Sequence, residues 1–220
     1  MGDTCCIFLI LILTIFFFLY LKKNYEKHKK SKYKVKIIGL GGGGSNIVEY
    51  LSNTYPMEYD ALIINSDKKA LETKNVDKKI LLQKDNTYGC GSDIVCGYTL
   101  VTSDVISQIK YFMERNREIY IFATLGGGCG TCSLKAISQE FINSNYRLNF
   151  ILITPFKWEG IKKNERANEI VEQIKNDFQN VYIYSNDELL NFGNLGISEC
   201  FKIQNEKFNK LIKDDEKNAK

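Results

Sequence analysis

No Gly-Lys-Ser or Gly-Lys-Thr triplet occurs anywhere in these 220 residues. That excludes the phosphate loop whose lysine and hydroxyl both follow its glycines. A large excess of either charge is absent as well. The net value is only +4, and much of it lies in one cluster, LKKNYEKHKKSKYKVK at 21–36, so no nucleic-acid partner is expected. The seven cysteines (Cys5, Cys6, Cys90, Cys96, Cys129, Cys132 and Cys200) are odd in number and scattered, which argues against a disulfide framework. There is no internal repeat. Hydrophobic content of 44% and charged content of 25% are ordinary for a folded chain, and the length suits one α/β domain plus appendages.

One long apolar run is present. CCIFLILILTIFFFLYL (5–21) carries no charge over 17 residues, at the lower edge of the roughly 17–25 needed to span a bilayer. A cleaved signal peptide is the competing reading, but no charged n-region precedes the run and no small-x-small site follows it. The expectation is an N-terminal transmembrane helix that contacts the lipid bilayer through residues 5–21. Lysines on its C-terminal side would leave a single-pass protein with its globular part in the cytoplasm. Gly2, Cys5 and Cys6 are a weak acylation signal. The division expected is an anchor at 1–21, a basic linker at 22–32, a domain at 33–212 and a polar tail at 213–220.

Beyond the linker, apolar β-branched segments at 33–38, 60–64, 78–82, 119–124, 148–154 and 181–184 alternate with helical patterns at about 45–53, 94–117, 132–145, 161–177 and 203–213. Such alternation predicts a mostly parallel sheet joined by right-handed crossovers. Ligands of such sheets lie beyond the carboxyl ends of the strands. Two glycine loops fall there, GLGGGGSN (39–46) and GGGCGTC (126–132), each between a strand and a helix. Glycine-rich backbone leaves N–H groups uncovered, and the helix that follows adds its positive end, so each loop can hold an anion. Two of them in one domain suggest a nucleotide with its phosphates held from two sides.

GLGGGG formally satisfies G-x-G-x-x-G, yet the second strand ends in Asn65 where a dinucleotide site wants an acid, and Asp67 comes late. Cys129 and Cys132 form a CxxC, and Cys90 and Cys96 sit in another glycine-containing loop. A four-thiolate zinc site or redox chemistry can be imagined, but the spacing of Cys90 and Cys96 is too long for a zinc knuckle.

All the loops together resemble the tubulin/FtsZ superfamily. KIIGLGGGGSNIVEYL is similar to the first FtsZ glycine loop and its helix, and ALIINSDKKAL to the N-T-D-x-x-A-L turn. ATLGGGCGTCSL resembles the signature G-G-G-T-G-[ST]-G. ILITPFKWEGIKKNERA and IYSNDELL resemble T-K-P-F-x-F-E-G-x-x-R and I-P-N-D-x-L-L. The resemblance implies a Rossmann-like GTPase domain, with helices on both faces of the sheet, that binds GTP or GDP with Mg²⁺.

It also assigns roles. Gly41, Gly42, Gly43, Gly44 and Ser45, with Gly126, Gly127, Gly128, Cys129, Gly130 and Thr131, would wrap the phosphates. Asp67 would stand near the γ-phosphate and the metal, Glu159 at the ribose, and Lys163 where the family has arginine. Asn46, Asn186, Asn205 and Glu206 would read guanine while Phe201 stacks on it. For Phe201 the competing reading is core packing, and for Asn205 and Glu206 a solvated helix face.

Several positions depart from the family pattern. Cys129 replaces the signature threonine and Cys132 its last glycine, placing a side chain where there is usually none. The loop at 89–97 is shorter than its FtsZ counterpart. In the family a central helix leads to an acidic loop and a second domain, and that loop completes the neighbouring subunit's active site. The 220 residues end within the helix, so weak intrinsic hydrolysis is expected. The leading function is then a GTP-binding switch, cap or partner of a full-length homologue. The alternatives are a GTPase whose catalytic acid comes in trans and a scaffold without nucleotide.

Overall fold

The structure, a computed structural model, describes residues 16–18, 20, 35–83, 98–113 and 118–218. It divides into two units, Met1–Lys34 and Val35–Lys220.

The larger unit is built on six parallel strands: β1 (Val35–Leu40), β2 (Tyr59–Asn65), β3 (Lys78–Leu81), β4 (Glu118–Thr124), β5 (Arg147–Thr154) and β6 (Val181–Ser185). Their order across the sheet is β3-β2-β1-β4-β5-β6. Ile38 lies opposite both Leu62 and Ile121, so β1 is flanked on both sides. Strands buried on both faces read as continuous apolar runs, which is why VKIIGL, EIYIFAT and RLNFILIT stand out in the sequence.

Among the described residues of this unit the helices are α1 (Gly41–Thr54), α2 (Lys68–Glu72), α3 (Ser103–Met113), α4 (Cys129–Phe141), α5 (Ile161–Asp177) and α6 (Ile197–Asn218). Alternate strand residues feed two cores. On one face Ile38, Leu40, Ile121, Phe150 and Leu152 pack with α3, α4 and α5. On the other, Ile37, Ile63, Phe122 and Ile151 pack with α1, α2 and α6.

Strand order reverses between β1 and β4, whose following helices go to opposite faces of the sheet. A crevice opens at such a switch point, beyond the strands' carboxyl ends. Both glycine loops border it.

The Rossmann-like sheet matches the sequence expectation, but the transmembrane part of that expectation is corrected. Crossing a bilayer takes roughly 20 apolar residues in one helix, and among the described residues no helix is long and apolar enough. Most of 5–21, the linker 22–32 and the loop 89–97 with Cys90 and Cys96 lie outside the described residues. Helix α6 starts six residues before the predicted 203 and runs on through Asn218. Tertiary partners hold its last turns: Lys213 pairs with Glu58 at 3.0 Å, and Asp215 accepts from Tyr182 at 2.7 Å and Tyr120 at 3.3 Å.

Candidate functional site

The first glycine loop is itself the first turn of α1, which begins at Gly41 rather than at the predicted 45. Gly41 has φ +69°, and a Cβ there would lie 2.7 Å from the Gly130 nitrogen. The two loops therefore touch through bare backbone. Gly44 allows α1 to lie directly on the sheet, because its Cβ would come within 2.4 Å of the Phe122 carbonyl oxygen. Gly42 and Gly127 differ from these: a Cβ on either meets nothing within 4 Å, so their backbone faces open space.

Neither helix is closed by its own side chains. Leu40 caps α1 and Gly128 caps α4 without a side-chain hydrogen bond, and neither first turn contains an acidic residue. The leading N–H groups of both helices are thus left for an external acceptor. The hydroxyls beside them are orphaned too. Ser45 Oγ and Thr131 Oγ1, each in a residue 1% exposed, are buried without a hydrogen-bond partner. Buried polar atoms are normally satisfied, so a ligand with acceptor oxygens is the chemistry these groups fit.

Next to the loops lies a cavity of about 400 Å³. Gly43, Asn46, Gly127, Glu159, Lys163, Asn186, Phe201 and Asn205, all singled out by sequence, line it together. Ile47, Thr124, Leu125, Ile153, Pro155 and Gln204 complete the wall. Asn186 Oδ1 is a third buried atom without a partner.

Two loops are stitched together at the rim. Glu159 accepts from the Phe156 amide at 2.9 Å and from Lys163 Nζ at 3.0 Å. Asn164 Nδ2 donates to the carbonyls of Phe156 and Gly160, at 3.2 and 3.0 Å. Asp187 then accepts from the Lys157 amide at 3.1 Å, which joins the loop after β5 to the segment after β6.

Glu206 is not at the cavity, which corrects its assignment as a base reader. Its carboxylate accepts from Tyr50 at 2.8 Å and Tyr55 at 2.5 Å. Those bonds raise both phenols' pKa, that of Tyr55 from 10.0 to about 12. The residue that faces the cavity instead is Gln204, which the sequence reading missed. Phe201, Gln204 and Asn205 share one stripe of α6 with the buried Phe208 and Ile212. That spacing was the available signal, and Glu206 falls off it.

Cys132 is buried, 1% exposed, and absent from the lining, so its side chain does not crowd the cavity. Among the described residues no group of three or more His, Cys, Asp or Glu side chains could hold a metal ion. Asp67 stands exposed past the end of β2, with Oδ1 accepting from the Ala70 amide at 3.0 Å. A single carboxylate suits Mg²⁺, which takes most of its ligands from phosphate and water.

A six-stranded parallel sheet with two uncapped helix N-termini meeting at its switch point defines a nucleotide-binding α/β protein. More specifically, this chain belongs to the Tubulin/FtsZ family, whose GTPase domain it matches over residues 34–194. It is 26% identical over 175 residues to cell division protein FtsZ 2 of Methanocaldococcus jannaschii, covering 77% of this chain and 45% of that protein. Against cell division protein FtsZ of Helicobacter pylori the identity is 29% over 164 residues, covering 72% and 42%. The chain thus spans less than half the length of these curated relatives. Among solved structures, an empty FtsZ dimer from M. jannaschii superposes with a TM-score of 0.67 at 26% identity, over 84% of this chain and 55% of that one. CetZ2 of Haloferax volcanii, solved as a GTPγS-bound protofilament, shares the fold with a TM-score of 0.68 at 21% identity, over 81% and 57%. Guanine nucleotide with Mg²⁺, the expected cofactor set, is that of this GTPase family.

Proposed function

We infer that residues 35–218 form a GTP- and GDP-binding module of a cytoskeletal-type filament system, acting as a switch, cap or partner for a longer homologue. The observation that carries this reading is the meeting of two uncapped helix N-termini beside an amide-lined cavity. The amides of Gly41–Ser45 and Gly126–Thr131 hold the phosphates, helped by the Ser45 and Thr131 hydroxyls. Phe201 stacks on the base. Asn46, Asn186, Gln204 and Asn205 read its edge, since amides supply both the acceptors that guanine N1–H and N2–H₂ need and a donor for O6. Glu159 and Lys163 orient the sugar-phosphate side. Asp67 is the residue for Mg²⁺, which when bound offsets phosphate charge.

Turnover is a separate matter. Glu159 is the one carboxylate among the described lining residues, and both its oxygens are engaged. Hydrolysis depends on orienting a water, so this cavity binds nucleotide far better than it consumes it until another subunit contributes an acid.

The test is the thermal unfolding midpoint of the full chain with Mg²⁺ and either GTP or ATP, together with phosphate release. GTP raises the midpoint, since a ligand of the folded state alone stabilises it. ATP has a smaller effect, and release is slow until a longer homologue is added. A midpoint unmoved by GTP favours the scaffold without nucleotide.

A further inference from the structure

Two thiols stand one helical turn apart on the phosphate loop. Cys129 opens α4 and is partly exposed. Cys132, three residues on, is 1% exposed, and its amide donates to the Gly128 carbonyl at 3.1 Å. Neither belongs to a disulfide, and neither side chain lines the cavity. Between them lies Thr131, whose buried hydroxyl has no partner, which marks this turn as one that meets a ligand. An accessible cysteine at a helix N-terminus, with a second one turn on and shielded, suits an attacking and a resolving thiol. The helix end favours the thiolate, and no acidic residue in the first turn opposes it.

We propose that Cys129 and Cys132 form a dithiol–disulfide switch that disables the phosphate loop when oxidised by a low-molecular-weight disulfide. The Cys129 thiolate attacks one sulfur of that disulfide, expels half of it as a thiolate and leaves a mixed disulfide. Cys132 then gives its proton to solvent, attacks the Cys129 sulfur and expels the other half. Two protein thiols are oxidised and one small disulfide is reduced to two thiols.

Geometry couples the bond to binding. Cβ atoms three residues apart on a helix are about 5–6 Å apart, whereas a disulfide holds them at roughly 3.5–4.5 Å. Closing it must tighten the turn that carries Gly130 and Thr131. Gly130 abuts Gly41, so both loops shift. By reciprocity, bound nucleotide shifts the dithiol–disulfide equilibrium toward the dithiol by the same factor.

This proposal rests on the nucleotide reading of the cavity, and the experiment separates the two. The full chain is treated with oxidised glutathione, mapped by mass spectrometry, and titrated with GTP and Mg²⁺ before oxidation, after it, and after dithiothreitol. The expected peptide spanning 129–132 is lighter by two hydrogen atoms. GTP affinity falls on the order of tenfold, dithiothreitol restores it, and in a glutathione redox buffer saturating GTP shifts the equilibrium toward the dithiol by the same factor. In Cys132→Ser a glutathionyl group persists on Cys129. Failure of the Cys129–Cys132 bond to form, or its formation with affinity unchanged, overturns the switch alone. A reduced chain that binds no nucleotide overturns the cavity reading and the switch with it.

Discussion

Gly41 and Gly130 meet backbone to backbone: a Cβ on Gly41 would stand 2.7 Å from the Gly130 nitrogen and 2.8 Å from its Cα. This contact joins the loop after β1 to the loop after β4. It also explains why two glycine runs separated by some eighty residues of chain act as one surface. No side chain fits between them, so the pair sets how closely the two helix N-termini approach.

Substitutions along α1 separate structure from ligand contact. Gly41→Ala must adopt a left-handed backbone, which costs about 1–3 kcal/mol, and also clashes with Gly130. Urea unfolding should report a loss of at least that size. Gly42→Ala meets nothing within 4 Å, so its stability should be unchanged or higher by up to about 1 kcal/mol. Its methyl fills the space in front of the loop, and nucleotide affinity should drop. If Gly42→Ala binds as the wild type does, the phosphates lie elsewhere.

Asn186 carries an unpartnered buried oxygen in the cavity wall. Losing a buried hydrogen-bond partner costs about 1–3 kcal/mol. Asn186→Ala should therefore weaken GTP binding by roughly tenfold to a hundredfold and leave the ligand-free chain as stable as before. Fluorescent-nucleotide titration beside a denaturation curve checks both halves.

Glu206 should matter for alkaline stability and not for nucleotide choice. Its hydrogen bond is the first cause of the raised Tyr55 pKa, from 10.0 to about 12. A phenol that keeps its proton more tightly when folded contributes stability that is complete below pH 10 and is lost as pH rises through about 12. In Glu206→Gln that share of the alkaline decline should disappear, and tyrosinate absorbance should rise at lower pH. Preference for GTP over ATP should be unaffected. A variant that loses this preference would return Glu206 to the base site.

Asp215 anchors the far end of α6 to the sheet through Tyr182 and the buried Tyr120. Asp215→Ala leaves the Tyr120 hydroxyl unsatisfied, at a cost of about 1–3 kcal/mol. Chemical denaturation measures it, and an unchanged curve would mean that these last turns contribute nothing to the fold.

The strands and the two glycine loops were legible because each leaves a local mark: apolar β-branched runs, buried on both faces in β1, β4 and β5, and glycines where backbone must approach backbone. Elements without such a mark were not. The five residues of α2 are too few to show a helical period. The C-terminal end of α6 depends on Glu58, Tyr120 and Tyr182, partners distant in the chain. At the site, residues picked from loop motifs such as Asn46, Gly127, Glu159 and Asn186 came together in the cavity wall. The exchange of Glu206 for Gln204 is a matter of rotation about the α6 axis. Motif order alone does not set that rotation, although the buried stripe through Phe208 and Ile212 does.

Calorimetric titration of the full chain with GDP and with ADP, each with Mg²⁺, tests the central claim most directly. The account predicts saturable binding of GDP and an affinity for ADP at least roughly tenfold weaker, because adenine lacks the 2-amino group of guanine and leaves a buried amide oxygen of the cavity wall without its partner. Equal affinity for the two, or no binding of either, would contradict it.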